Sequence, residues 1–160
     1  MAAELGVPIA GVNAVMPAQR DLALWLLGEE MGDGPESEAL LDAAERACQK
    51  LCRRLARLVT VAGYQALLAR ALHLARREFS FLDGVRAGAT EDACFDGLRA
   101  KAEGIDPAML RAALTTVLAN VIGLLTTFIG EDLALRLVRD VWPDAPFGGT
   151  SPTHAEEAQA

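Results

Sequence analysis

The sequence predicts an all-α fold, a single-domain bundle of about five or six helices around one nearly fully apolar central helix. Three observations carry that expectation. Alanine and leucine, both strong helix formers, supply 54 of the 160 residues, while the β-branched and aromatic types that favour strands are scarce. Apolar residues recur at three- and four-residue spacing through most of the chain. One stretch, Ala112 to Gly130, runs nineteen residues without a charge, as the middle helix of a bundle requires. A chain of this length buries roughly 68–70% of its unfolded surface, enough for a core without staples.

In chain order, residues 1–16 carry Gly6, Pro8, Gly11 and Asn13 with no period, so a loose arm is expected before the domain at 17–142. A short helix is expected over Pro17 to Glu30, with Leu22, Trp25 and Leu26 on one face. The next helix starts near Gly34-Pro35-Glu36, with proline in the first turn and acids beside it. Its apolar positions run from Leu40 through Cys48, Leu51, Cys52, Leu55, Leu58 and Val59 to Ala62, and Gly63 is expected to cap or bend it. A further helix spans about Tyr64 to Phe79. Residues 80–89, with Asp83-Gly84, read as a loop. Thr90 then serves as N-cap for a short helix through Lys101 that packs Cys94, Phe95 and Leu98.

The central helix has the strongest start signal. Asp106 stands as N-cap and Pro107 at the first position, with Ile105 and Leu110 spaced for a hydrophobic staple. It should run from about 107 to 129 and end at Gly130. A last helix covers Glu131 to Trp142 before Pro143. Residues 143–160 hold three prolines, two adjacent glycines and polar filler, the composition of a disordered C-terminal tail.

Length alone would let the charge-free run cross a membrane. Thr115, Thr116, Asn120, Thr126 and Thr127 make it a mediocre span, and the other helices have apolar faces to cover, so no membrane span is expected. Thr116, Asn120, Gly123 and Thr127 form a small-residue stripe on which another backbone can lie close. Three cysteines, an odd number, and no basic residue before Arg20 argue for reduced thiols in a cytoplasmic protein. Cys48 and Cys52 fall on the apolar face, and the only histidines are His73 and His154. No zinc ligand set is at hand, and no cofactor or metal is expected. His73, beside Arg70 and Arg77, lacks a paired acid or nucleophile. No phosphate-cradling loop or nucleophile elbow occurs, so no catalytic residue is assigned. A small enzyme assembled from distant residues stays the third reading.

Charge distribution is the most distinctive feature. Residues 1–45 hold one arginine against nine acids, residues 46–86 nine basic residues against two acids, and residues 87–160 five basic against eleven acids. Within the basic middle, Arg46, Lys50, Arg53 and Arg57 are spaced four, three and four apart and so line one helix face, with Arg70 and Arg77 as further partner-binding candidates. Arg54, Arg76 and Arg86 extend the patch. One explanation is a solvated face partly neutralised by the acidic N-terminal segment. A second is docking onto an acidic protein or a second copy of the chain, giving a homodimer. Nucleic acid is the weakest of the three, since the chain is acidic overall and no aromatics interleave with the basics. The leading functional expectation is a non-enzymatic, self-associating interaction or regulatory module that docks a protein through charged helix faces. The alternative is an all-helical sensor that takes an apolar small molecule between helices.

Overall fold

In the computed structural model, residues 17–90 and 93–146 are described, and the arm at 1–16 and the tail beyond 146 lie outside them. The chain forms α1 (Pro17–Glu30), α2 (Glu36–Leu55), α3 (Val61–Arg76) and a 3-10 turn at Ser80–Leu82. Strands β1 (Arg86–Thr90) and β2 (Ala93–Asp96) follow, then α4 (Leu98–Ala102), α5 (Pro107–Ile129) and α6 (Glu131–Val141). The described residues form an all-α bundle of six helices with a small two-stranded sheet.

Helix α5 is the centre. It packs against α1, α2, α3 and α6, and every residue from Ala113 to Ile122 is buried. Its start follows the capping chemistry, with Asp106 Oδ2 accepting the Ala108 N–H at 3.0 Å and Pro107 inside the first turn. Its 23 residues are long and apolar enough to cross a membrane, with a mean hydropathy of 1.9. Neighbouring helices enclose most of it, as around the core helix of a bundle.

The small-residue stripe on α5 is used inside the chain. Asn120 donates to the Ala71 carbonyl at 3.1 Å, Arg20 donates to the Thr116 hydroxyl at 3.0 Å, and Gln19 lies over Gly123. A side chain at position 123 would press on that amide at 3.0 Å.

Four expected elements differ. The long helix from residue 34 stops at Leu55, and the chain turns through Ala56–Val59 before Thr60, whose Oγ1 accepts the Gly63 N–H at 3.0 Å. Thr60 is a better helix start than Gly63 is a helix end, and the β-branched run Val59-Thr60-Val61 weakens continuation. Leu58, expected in the core, is 50% exposed as a result.

The loop at 80–89 and the helix from Thr90 are replaced by the 3-10 turn, an antiparallel hairpin and the shorter α4. Gly97, at φ 86°, separates strand from helix in a conformation that L side chains rarely adopt. Arg86 pairs with Asp96 and Ala87 with Phe95. Position 88 admits only glycine, because a Cβ there would fall 1.6 Å from the Ala93 carbonyl oxygen. Finally, the packed chain continues past Trp142. Its carbonyl accepts the Ala145 N–H at 3.0 Å, and Ala145 is buried against the core.

Candidate functional site

The basic residues divide into two groups. Arg46 and Lys50 lie on α2 beside the end of α1, where the Glu30 carboxylate is only 8% exposed. Lys50 Nζ is 2.6 Å from Glu30 Oε2, Arg46 Nε is 3.5 Å from Oε1, and the Arg46 guanidinium also donates to the Glu30 carbonyl. The Trp142 indole N–H completes the node at 2.8 Å from Oε2. Burial alone would raise the Glu30 carboxyl. The Lys50 and Trp142 hydrogen bonds, with the charges of Lys50 and Arg46, outweigh it and hold the group below the usual carboxylate range. This node ties α1, α2 and the end of α6 together. One turn further along α2, Arg54 meets Asp140 of α6 at 2.8 Å, and Arg53 is also engaged.

Arg57, Arg70 and Arg77 are exposed. Arg57 is no longer on the helical stripe, since it sits in the turn after α2. Arg70 and Arg77 share the outer side of α3 with His73, at spacings of three and four residues.

A groove of about 490 Å³ opens where the α2–α3 turn, the first half of α3 and the last turns of α5 meet. Leu55, Val59, Leu67, Leu124 and Phe128 give it apolar walls, and Arg70 is the one charged residue among its described lining residues. Phe128 is 66% exposed, the most exposed of the large apolar side chains described. Ridge-into-groove packing of a third helix would normally cover such walls. Here α2 has already ended, and its turn leaves the space open. Arg57 stands between two wall residues, Leu55 and Val59. A second hollow, between α3 and the hairpin, is lined by Gln65, Arg76, Arg86 and Asp96 among alanines. The Arg76 guanidinium donates there to the Val85 carbonyl at 3.1 Å, while its buried Nε makes no hydrogen bond.

The cysteines gather in the core. Cys48 of α2 and Cys94 of β2 are in contact, and this contact, with burial, pushes the Cys48 thiol well up. Tyr64 donates to the Cys48 carbonyl at 3.3 Å, and Glu45 accepts the Cys94 N–H at 2.6 Å. All three cysteines are buried and none is in a disulfide. Among the described residues no three His, Cys, Asp or Glu side chains are grouped to hold a metal ion. His73 stays exposed.

Sequence reasoning singled out Arg70 but missed the groove it belongs to. The available signal was Thr60 as a helix start, which places Leu58 and Val59 in a turn and frees the wall behind them. No protein-family model, curated protein or solved structure matches this chain.

Proposed function

We propose that this protein is a non-enzymatic interaction module whose docking surface is the apolar groove between α3 and the end of α5. The single observation that carries this reading is the apolar groove itself, open beside an exposed Phe128 and with Arg70 as the one charge among its described lining residues. Contiguous exposed apolar surface with a charged rim is the usual mark of a binding site, and aromatic and arginine anchors dominate such interfaces. Arg70 gives the groove wall a positive sign, so the partner offers apolar side chains flanked by acids. The charged-face expectation thereby narrows. Arg46 and Lys50 hold the fold, and recognition falls to the residues around the groove. The cytoplasm is the proposed location, on the grounds that three buried thiols outside any disulfide, two of them in contact, suit a reducing compartment.

The experiment is capture from a native cell extract with wild type, Phe128→Asp and Arg70→Glu. A specific partner should be retained by wild type, lost with Phe128→Asp, and weakened by Arg70→Glu and by salt. A partner retained by both variants overturns the reading. One observation favours a second reading. The groove's volume lies within the roughly 300–1,000 Å³ of small-molecule sites, so an apolar acid with its carboxylate on Arg70 would also fit. A ligand-dependent rise in melting temperature that Arg70→Ala abolishes would select it.

A further inference from the structure

We propose that the hollow between α3 and the β1–β2 hairpin is a second site, which takes a small organic carboxylate with an apolar body and meets its acid with Arg76 and Arg86. The inference stands apart from the docking groove. Ala66 is the one residue common to the described linings of the two.

The first ground is unsatisfied charge. Arg46, Lys50, Arg54, Arg99 and Arg111 each meet a carboxylate of this chain. Arg76 and Arg86 meet none among the described residues. Arg76 is part-buried, and its one acceptor among those residues is the neutral Val85 carbonyl at 3.1 Å, while its buried Nε makes no hydrogen bond. A guanidinium carries five donors, and drawing its charge out of water is costly unless an anion meets it. Arg86 on β1 is the register partner of Asp96 on β2. The two form no ion pair, and both line the hollow.

The second is shape. Ala62, Ala66 and Ala69 share one exposed side of α3 at spacings of four and three residues. The helix thus presents a smooth wall, with Leu72 and Phe95 as its larger apolar neighbours. The volume of about 850 Å³ lies within the roughly 300–1,000 Å³ of small-molecule sites. The walls are tied at two points, since Gln65 donates to the Gly88 carbonyl at 2.8 Å and Arg76 to that of Val85. These ties lie about 16 Å apart along α3 at 1.5 Å rise per residue, so the site is preformed and the span between them is open to a ligand.

The third is the balance of charge. Two arginines and Asp96 leave the described lining with a single net positive charge. One carboxylate balances it, whereas the second charge of a phosphate monoester would be set against Asp96. The ligand class is therefore an apolar monocarboxylate.

The test is a titration of the isotope-labelled full chain with hydrocinnamate, followed through its backbone amide resonances. Hydrocinnamate should bind at about 5 mM or tighter, as a ligand of its size does in a fitting site. Saturable shifts should appear at the Gly88 and Phe95 amides and not at those of Leu124 or Phe128. Arg76→Gln, which keeps a donor for Val85, should weaken binding about tenfold through the loss of a charge-assisted contact. The neutral amide of the probe should be weaker by at least as much. Ala69→Phe, at an exposed helix position, fills the hollow and should abolish binding with the fold kept, so it carries the test should Arg76→Gln disturb the hairpin. Arg70→Ala should change nothing, which separates this site from the docking groove. The proposal is overturned by absence of saturable shifts at about 20 mM probe, by equal binding of the amide, or by full affinity in Ala69→Phe. Shifts at Leu124 and Phe128 that Arg70→Ala removes would overturn it as well, by placing the acid in the other groove. Tighter binding of phenyl phosphate than of hydrocinnamate would overturn the assignment to a monocarboxylate.

Discussion

Two parts of one basic region meet opposite fates in this fold. At the closed end, Arg46 and Lys50 converge on a buried Glu30 that Trp142 also holds, and three chain segments are locked by one carboxylate. At the open end, Arg70 lines a groove that holds no acid among its described lining residues. The sequence makes the two groups look continuous. What separates them is whether a carboxylate is carried to within reach by a neighbouring element. A run of like charge is therefore not a unit of function. It must be divided by what each member touches.

The core between the two ends sets the scale for breaking this comparison. Leu118 on α5 is fully buried, and Leu118→Asp places an unpartnered carboxylate there at a cost of several kcal/mol, on the order of total stability. The variant should fail to fold, which circular dichroism would show. A folded Leu118→Asp protein would mean that α5 is peripheral.

Lys50→Glu sharpens the contrast between the ends. It sets a second carboxylate against Glu30 and should cost about 2–3 kcal/mol, below the full range for a broken buried pair because Lys50 is itself partly exposed to screening solvent. Melting should fall by roughly 5–10 °C. Arg70→Glu and Arg77→Glu, with no ion-pair partner among the described residues, should each stay within about 0.5 kcal/mol. Equal losses at all three positions would erase the distinction between the two groups.

The same node has a pH signature. The folded-state pKa of Glu30 lies below its ordinary value near 4.5, so its contribution is fully present above that value. It is lost as pH falls through the lower folded-state pKa. Glu30→Gln should be less stable than wild type at about pH 7, and the gap should narrow at about pH 3 as the wild-type carboxyl is protonated. A gap that is constant with pH would deny Glu30 its ion pairs. The smallest effect concerns the thiols, where native labelling of Cys48, Cys52 and Cys94 should be slow and denatured labelling fast. Rapid native labelling would put the α2 leucine face in solvent.

The closed end was far more legible in the sequence than the open one, and for a physical reason. Helix α1, the Asp106-Pro107 start of α5 and the 107–129 core helix follow from local capping chemistry and from periodicity, and the structure has them at the expected residues. Neutralisation of the α2 stripe by the acidic N-terminal segment was also foreseeable from charge, though not that Glu30 would be its centre. The open end depends on where a continuous apolar pattern breaks. The leucine repeat runs through Leu58 and Val59 without interruption, and only Thr60 shows that the chain has turned. The hairpin failed for a similar reason. Cys94, Phe95 and Leu98 have helical spacing, while Gly88 and Gly97, which fit the sheet, act through contacts that no local pattern displays. The Glu45 carboxylate that holds the Cys94 N–H comes from 49 positions earlier.

The central claim is that the open end, and not the whole basic region, is the docking surface. Site-specific photo-crosslinking in native extract tests it most directly. A benzophenone side chain is placed at Ala66, exposed in the groove, and in a second protein at Ala112, exposed near the start of α5. The account predicts one discrete adduct from position 66, diminished by salt and absent when Phe128→Asp is added, with none from position 112. The same adducts from both positions, or an adduct from position 66 that Phe128→Asp leaves intact, would contradict it.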